Sequence, residues 1–187
     1  LIIVPIFLYI VRSFMQYEEK NPYRAKRPDY HQPFAKKPTT SIDEMRKTEF
    51  GLIVALAAKL ARADGRICEL EAALIGDMLD QLSRYFDDPQ RARELLKEVL
   101  QDEKRSLDST HQIASELFRY LRQSERERIQ ILDFLINLAY ADQHISSEEE
   151  AVLRDIAGAF HIAPERFESI ISQFRDFYAQ QRGGPSL

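Results

Sequence analysis

Ala55-Leu-Ala-Ala-Lys-Leu-Ala-Arg-Ala-Asp-Gly-Arg-Ile-Cys-Glu-Leu-Glu71 returns, altered, as Asp133-Phe-Leu-Ile-Asn-Leu-Ala-Tyr-Ala-Asp-Gln-His-Ile-Ser-Ser-Glu-Glu149. Every pairing is displaced by 78 positions: Leu60 with Leu138, Ala61 with Ala139, Asp64 with Asp142, Ile67 with Ile145, Glu71 with Glu149. Each copy has the pattern of a helix, a tight acidic turn carrying one buried isoleucine, and a second helix. The fold class that follows is all-α, a duplicated helical bundle.

The helical signals are dense from Ser41 onward. Ser41-Ile-Asp-Glu44 is a capping-box pattern, and a helix should run from it to about Ala63. Leu52, Ala55, Leu56, Lys59, Leu60 and Ala63 share one face of it, the alanines permitting close helix approach. A second helix starts near Cys68 and should carry Leu70, Leu74, Met78 and Leu82 inward. Asp88-Pro89 is a cap followed by proline at the first helical position, opening a third helix with Leu95, Leu96, Val99 and Leu100. A fourth, from about Ser109 to Leu121, carries Ile113, Leu117 and Leu121.

Ser124-Glu-Arg-Glu127 restarts the pattern. Ile131, Phe134, Leu135, Leu138 and Ala141 line a fifth helix; Val152, Ile156 and Phe160 line a sixth. Pro164 opens a seventh, with Phe167, Ile170, Ile171, Phe174 and Phe177 inward. Aligned on Pro89 and Pro164, Leu95 and Leu96 match Ile170 and Ile171, so the repeat spans three helices and the fourth joins the halves. The expectation is a bundle of about seven helices over residues 41–180, and Arg182-Gly-Gly-Pro-Ser-Leu187 reads as the start of a linker.

Ahead of the bundle, Leu1 to Val11 is apolar apart from Tyr9. The run is shorter than the roughly twenty residues a spanning helix needs, and the chain opens on leucine, so residues 1–16 read as the last part of a membrane anchor. Residues 17–40 hold Pro22, Pro28, Pro33 and Pro38 among tyrosines and basic residues, the composition of an extended tether. Up to Ser41 seven basic residues face three acidic ones, a net +4; the remainder, nineteen against twenty-seven, is −8. A basic stretch just after a single-pass anchor places the following domain in the cytoplasm. The acidic body argues against nucleic acid as a partner.

Asp64 to Glu71 resembles the second half of an EF-hand calcium loop, but that loop needs oxygen ligands where Leu60 and Arg62, or Leu138 and Tyr140, stand. The EF-hand reading fails. If the two turns face each other, a hard divalent cation has Asp64, Glu71, Asp142 and Glu149 as its candidate metal ligands, with Glu69, His144 and Glu148 nearby. The rival reading is structural. Cys68 and Ser146 occupy corresponding N-cap positions, and Glu71 and Glu149 then fall where they satisfy orphan amides, while Asp64 and Asp142 brace the turns. The four histidines show no metal-ligand spacing, and Cys68, the single cysteine, excludes an internal disulfide. No nucleophile motif, phosphate loop or dinucleotide fingerprint occurs, so no catalytic residue and no bound cofactor is assigned.

Ala61-Arg-Ala-Asp-Gly-Arg-Ile67 and Ala139-Tyr-Ala-Asp-Gln-His-Ile145, each with a glutamate one helical turn on, resemble the TerB-like helical domain, a family named for tellurite-resistance proteins. The resemblance covers about Ile42 to Tyr178; Gln143 departs from it where the first copy has Gly65. The order of apolar anchor, TerB-like domain and Gly-Gly-Pro linker is similar to membrane-anchored DnaJ-like (DjlA-type) co-chaperones. That resemblance implies a regulatory domain working with Hsp70 (DnaK) through a J domain outside this chain, since no histidine here precedes a proline. It also leaves room for a homodimer. The alternative it carries is an acidic metal-binding or tellurite/stress-response domain acting without a chaperone.

Overall fold

A computed structural model describes residues 36–39, 41–63, 65, 68–106, 108–142 and 144–182. The expected anchor, most of the tether, Asp64, Ile67, Gln143 and the linker from residue 183 lie outside the described residues. Eight α-helices account for nearly all of what is described: α1 (Ile42–Lys47), α2 (Glu49–Ala63), α3 (Glu69–Ser83), α4 (Pro89–Glu103), α5 (Thr110–Leu121), α6 (Glu125–Ala139), α7 (Ser147–Ala159) and α8 (Pro164–Arg182). A 3₁₀ turn, Tyr140–Asp142, follows α6. Among the described residues there is no strand, and none of the helices is long and apolar enough to cross a membrane.

The eighth helix comes from a break in the first expected one. Thr48 closes α1 and opens α2 with one hydroxyl, which donates to the Met45 carbonyl at 2.7 Å and accepts from the Gly51 N–H at 3.0 Å. A single side chain thus does the work of a C-cap and an N-cap. The fold brings the Met45 carbonyl so close that a Cβ on Gly51 would lie 2.0 Å from its oxygen. Only glycine fits there.

α2 is the axis of the molecule. Every residue from Phe50 to Ala61 is buried, the mark of a helix apolar on all sides and surrounded by others. It packs against α1, α3, α4, α5, α6 and α7. Gly51 and the alanines at 55, 57, 58 and 61 thin its surface enough for those neighbours to close on it. Its counterpart α6 buries Ile131, Leu132 and all of Phe134 to Ala139, and packs on α2, α3, α5, α7 and α8. Leu60 and Leu138, matched by the repeat, are both 1% exposed. Burying such a side chain stabilises the fold by about 1.5–3 kcal/mol.

Two inward assignments are corrected. Leu70 and Phe177 are 38% and 40% exposed. On α3 the buried stripe is Glu71, Leu74, Ile75, Met78, Leu79 and Leu82, which leaves Leu70 one position off the face. On α8 the buried aromatic near the end is Tyr178. Ile145 and Val152, expected inside, are half-buried against the core.

The helix ends follow the expected caps. Ser41, Asp88 and Ser124 accept from the N–H of Glu44, Arg91 and Glu127, and Pro89 stands at the first position of α4. Besides the break at Thr48, the end of α7 was not foreseen. After α7, His161 has φ 54°, its N–H donates to the Gly158 carbonyl at 3.0 Å, and the Ile162 N–H reaches back to Ala157 at 3.0 Å. This is a Schellman closure with histidine where glycine is usual. The imidazole stacks on Phe118 at 4.5 Å, and Arg128 sits 5.3 Å from that ring on α6 while donating to the Phe160 carbonyl.

Ahead of α1, Lys37 forms a parallel bridge with Phe86 in the α3–α4 connection, so the end of the expected tether rests against the helical body.

Candidate functional site

The two acidic turns are built alike at the helix that leaves each one. Cys68 has φ −77° and ψ 162°, Ser146 φ −71° and ψ 161°. The Cys68 sulfur accepts from the Glu71 N–H at 3.3 Å and the Ser146 hydroxyl from the Glu149 N–H at 3.1 Å. In the second turn the box is complete, because Glu149 Oε2 accepts from both the Ser146 N–H and its hydroxyl at 2.8 Å. Glu71 and Glu149 are each 7% exposed. The repeat is therefore a repeat of capping geometry.

The turns differ where they leave the preceding helix. The first closes through Gly65 at φ 73°, in the left-handed region, with its N–H donating to the Arg62 carbonyl at 3.1 Å. The second, which carries Gln143 in place of that glycine, runs through the 3₁₀ turn, and Asp142 Oδ1 accepts from the His144 N–H at 2.9 Å. Glycine takes up left-handed backbone without a Cβ clash, which is what the first turn uses.

Of the four candidate ligands, Glu149 is committed to its cap, Glu71 is buried at the start of α3, Asp142 is exposed and braces its own turn, and Asp64 lies outside the described residues. The 3₁₀ turn packs on α3, so the second turn does lie beside the helix leaving the first. Among the described residues no three His, Cys, Asp or Glu side chains are grouped to hold a metal ion. Glu69, His144 and Glu148 are exposed.

An aromatic cluster backs the second turn. Tyr140 stacks on Tyr178 at 4.7 Å and on Phe174 at 6.2 Å, and Phe177 meets Tyr178 edge-on at 5.3 Å. The Tyr178 hydroxyl is buried without a hydrogen-bond partner; burial, and then Tyr140, push its pKa above the ordinary tyrosine value.

A groove of about 730 Å³ opens elsewhere, between α1, α4 and α5 over α2. Its floor includes Leu52, Ala55, Val99 and Ile113, and its walls carry both signs of charge, with Arg46, Lys47 and Arg119 facing Asp43, Glu103 and Glu116. Tyr120 spans from α5 to α1, its hydroxyl donating to the Lys47 carbonyl at 2.6 Å. The groove lies between the first copy and the joining helix, not between the two halves. Nothing local in the sequence marks it, because its walls come from three helices, of which α1 and α5 are more than sixty positions apart.

Arg46 and Lys59 tie the groove's wall to the core. Lys59, buried on α2, donates to the carbonyls of Glu103 at 3.3 Å and Ser106 at 3.0 Å, and Arg46 pairs with Asp102. Lys59 had the spacing of a core residue, and the partner that makes its burial tolerable is 44 positions away.

The model of the family described as tellurite resistance protein TerB matches residues 51–172, which run from the start of α2 into α8 and include both acidic turns. No curated protein and no solved structure matches the chain. With well over half of its length matched, including both copies of the repeat, the chain belongs to the TerB family.

Proposed function

We propose that the chain is the non-catalytic regulatory and interaction part of a membrane-tethered DnaJ-like co-chaperone that acts with Hsp70 (DnaK), the J domain lying outside this chain. The observation that carries the reading is the order of segments around the TerB domain: an apolar stretch, a basic proline-rich stretch, the helical body and a Gly-Gly-Pro stretch. The fate of the carboxylates supports it. Glu149 closes a helix end and Asp142 braces a turn, which is architecture more than chemistry. In this reading the apolar segment sits in a bacterial inner membrane, the TerB domain works on the cytoplasmic side, and its groove between α1, α4 and α5 is the surface for partners.

The test is the complete gene product. It should carry a His-Pro-Asp J domain after Leu187, remain with membranes through a carbonate wash, and stimulate the ATPase of DnaK. A full-length product that lacks His-Pro-Asp, or that leaves DnaK turnover unchanged, overturns the proposal.

A further inference from the structure

Lys37 to Thr39 lie on the α3–α4 connection as a bound peptide lies on a sheet edge. The Lys37 N–H donates to the Tyr85 carbonyl and its own carbonyl accepts from the Asp87 N–H, both at 2.9 Å. The Thr39 N–H donates to Asp87 Oδ1 at 2.7 Å. The Thr39 hydroxyl donates to the Asp88 carbonyl at 3.2 Å and accepts from the Asp88 N–H at 3.3 Å. Pro38, between them, has no N–H, and the pattern asks for none.

Side-chain recognition accompanies the backbone. The Lys37 ammonium pairs with Glu49 and sits 4.9 Å from the centre of the Phe50 ring. Phe50 in turn stacks on Tyr85 at 5.1 Å and meets Phe86 edge-on at 5.6 Å. The surface thus supplies an anionic and aromatic seat for a basic side chain, a tolerated proline, and a reciprocal hydroxyl contact. The Thr39 bonds also hold the Asp87 carboxyl below its ordinary pKa.

What seats these residues is hydrogen bonding, an ion pair and the face of one ring. None of residues 36–39 is buried, so no apolar anchor fastens them. Main-chain pairing plus side-chain seats is the way strand-adding peptide sites work, and here the chain itself provides the occupant.

We propose that this surface is a binding site for an extended polypeptide segment carrying a basic residue, a proline and a hydroxyl residue in succession, with Lys37-Pro38-Thr39 occupying it in cis as an internal competitor. The partner is a protein that displays such a segment in extended form. Its arrival would free the tether from the domain.

The test uses the full chain and a fluorescent peptide with the sequence of residues 34–41. The double variant K37E/T39A loosens the strap and should bind the peptide at least about tenfold tighter than the unaltered chain, whose strap competes at roughly millimolar effective concentration. Adding D87N and E49Q to the loosened chain should abolish binding, as should a peptide carrying Lys37→Glu. Equal binding to loosened and unaltered chains, or none to a loosened chain of unchanged helix content, overturns the proposal. Should the variant lose helix content, hydrogen exchange on the unaltered chain decides. The Lys37 and Asp87 amides should exchange together, roughly a hundredfold faster than Leu56 in the core. Protection equal to that of Leu56 would make the strap a fixed part of the fold and refute the idea.

Discussion

The ammonium of Lys59 faces the carboxylate of Glu103 at 3.4 Å, with both side chains less than a tenth exposed. Glu103 Oε2 has no hydrogen bond, so the contact is Coulombic, and the lysine's hydrogen bonds go to the main chain at the end of α4. Arg46 approaches the same carboxylate at 3.6 Å. Removing one member strands the other, which in buried pairs costs about 3–5 kcal/mol. Lys59→Met should therefore lower the urea midpoint sharply. The double replacement Lys59→Met with Glu103→Leu should recover at least half of the loss, because no buried charge is left alone. A double variant as unstable as the single one would assign the cost to the carbonyls of Glu103 and Ser106.

The second copy of the repeat bears on that pair. The alignments that match the turns and the prolines put Lys59 on Asn137 and Glu103 on Tyr178, and all four are buried. The duplicated unit thus keeps two interior polar positions, ionic in one half and uncharged in the other. Buried ion pairs and less charged substitutes are often close in stability, and the comparison fits that rule.

Gly51 is the residue whose substitution should look harmless and is not. In a helix interior alanine is favoured over glycine by about 1 kcal/mol. Here the new Cβ would lie 2.0 Å from the Met45 oxygen, and that oxygen is held by the Thr48 hydroxyl. Gly51→Ala should destabilise by about 1–3 kcal/mol, the range for forced overpacking. Thermal unfolding gives the number, and a raised Tm would show that the α1–α2 corner can open to make room.

How far the sequence reached can be judged on particular residues. The caps at Ser41, Asp88, Ser124 and Ser146 were legible because each works over three residues. The pairing of Cys68 with Ser146 was legible because the repeat transfers a clear serine cap onto an unclear cysteine one. Thr48 was missed, since a threonine inside an apolar run has no local sign that its hydroxyl ends one helix and starts another. The left-handed backbone of His161 is hidden by its identity, since glycine is the usual residue there. The docking of Lys37 against Tyr85 and Asp87 depends on a contact across 48 to 50 positions, which proline content alone argues against. The committed geometry of Glu149 required coordinates.

Cys68 offers a direct check on the duplication. A thiol is a weak acceptor, and Ser146 does the same task with near-identical backbone angles in the other half. Cys68→Ser should hold or raise stability, whereas Cys68→Ala should lower it by about 1 kcal/mol, the usual value of an N-cap. The comparison of the two variants in one denaturation series isolates the cap from the loss of sulfur packing. Should serine prove as damaging as alanine, packing of the thiol and not capping governs the position.

Asp133 carries the pH dependence. Burial raises its carboxyl from the ordinary 3.8 to about 6, with Arg166 on α8 pulling the other way. The first copy has a buried alanine, Ala55, at the matching position. Because the folded pKa lies above the unfolded one, the native state binds the proton more tightly between those two values. Stability from this group is greatest below about pH 4 and falls as pH rises to about 6, with a loss of about 3 kcal/mol by pH 7. Asp133→Asn leaves the carbonyl that accepts from Asn137 at 2.8 Å in place and removes the titration. Denaturation at pH 7.5 should show the variant more stable than the unaltered chain, with the difference closing as the pH falls to 4. A variant that is less stable at pH 7.5 would mean that attraction to Arg166 outweighs the burial of Asp133.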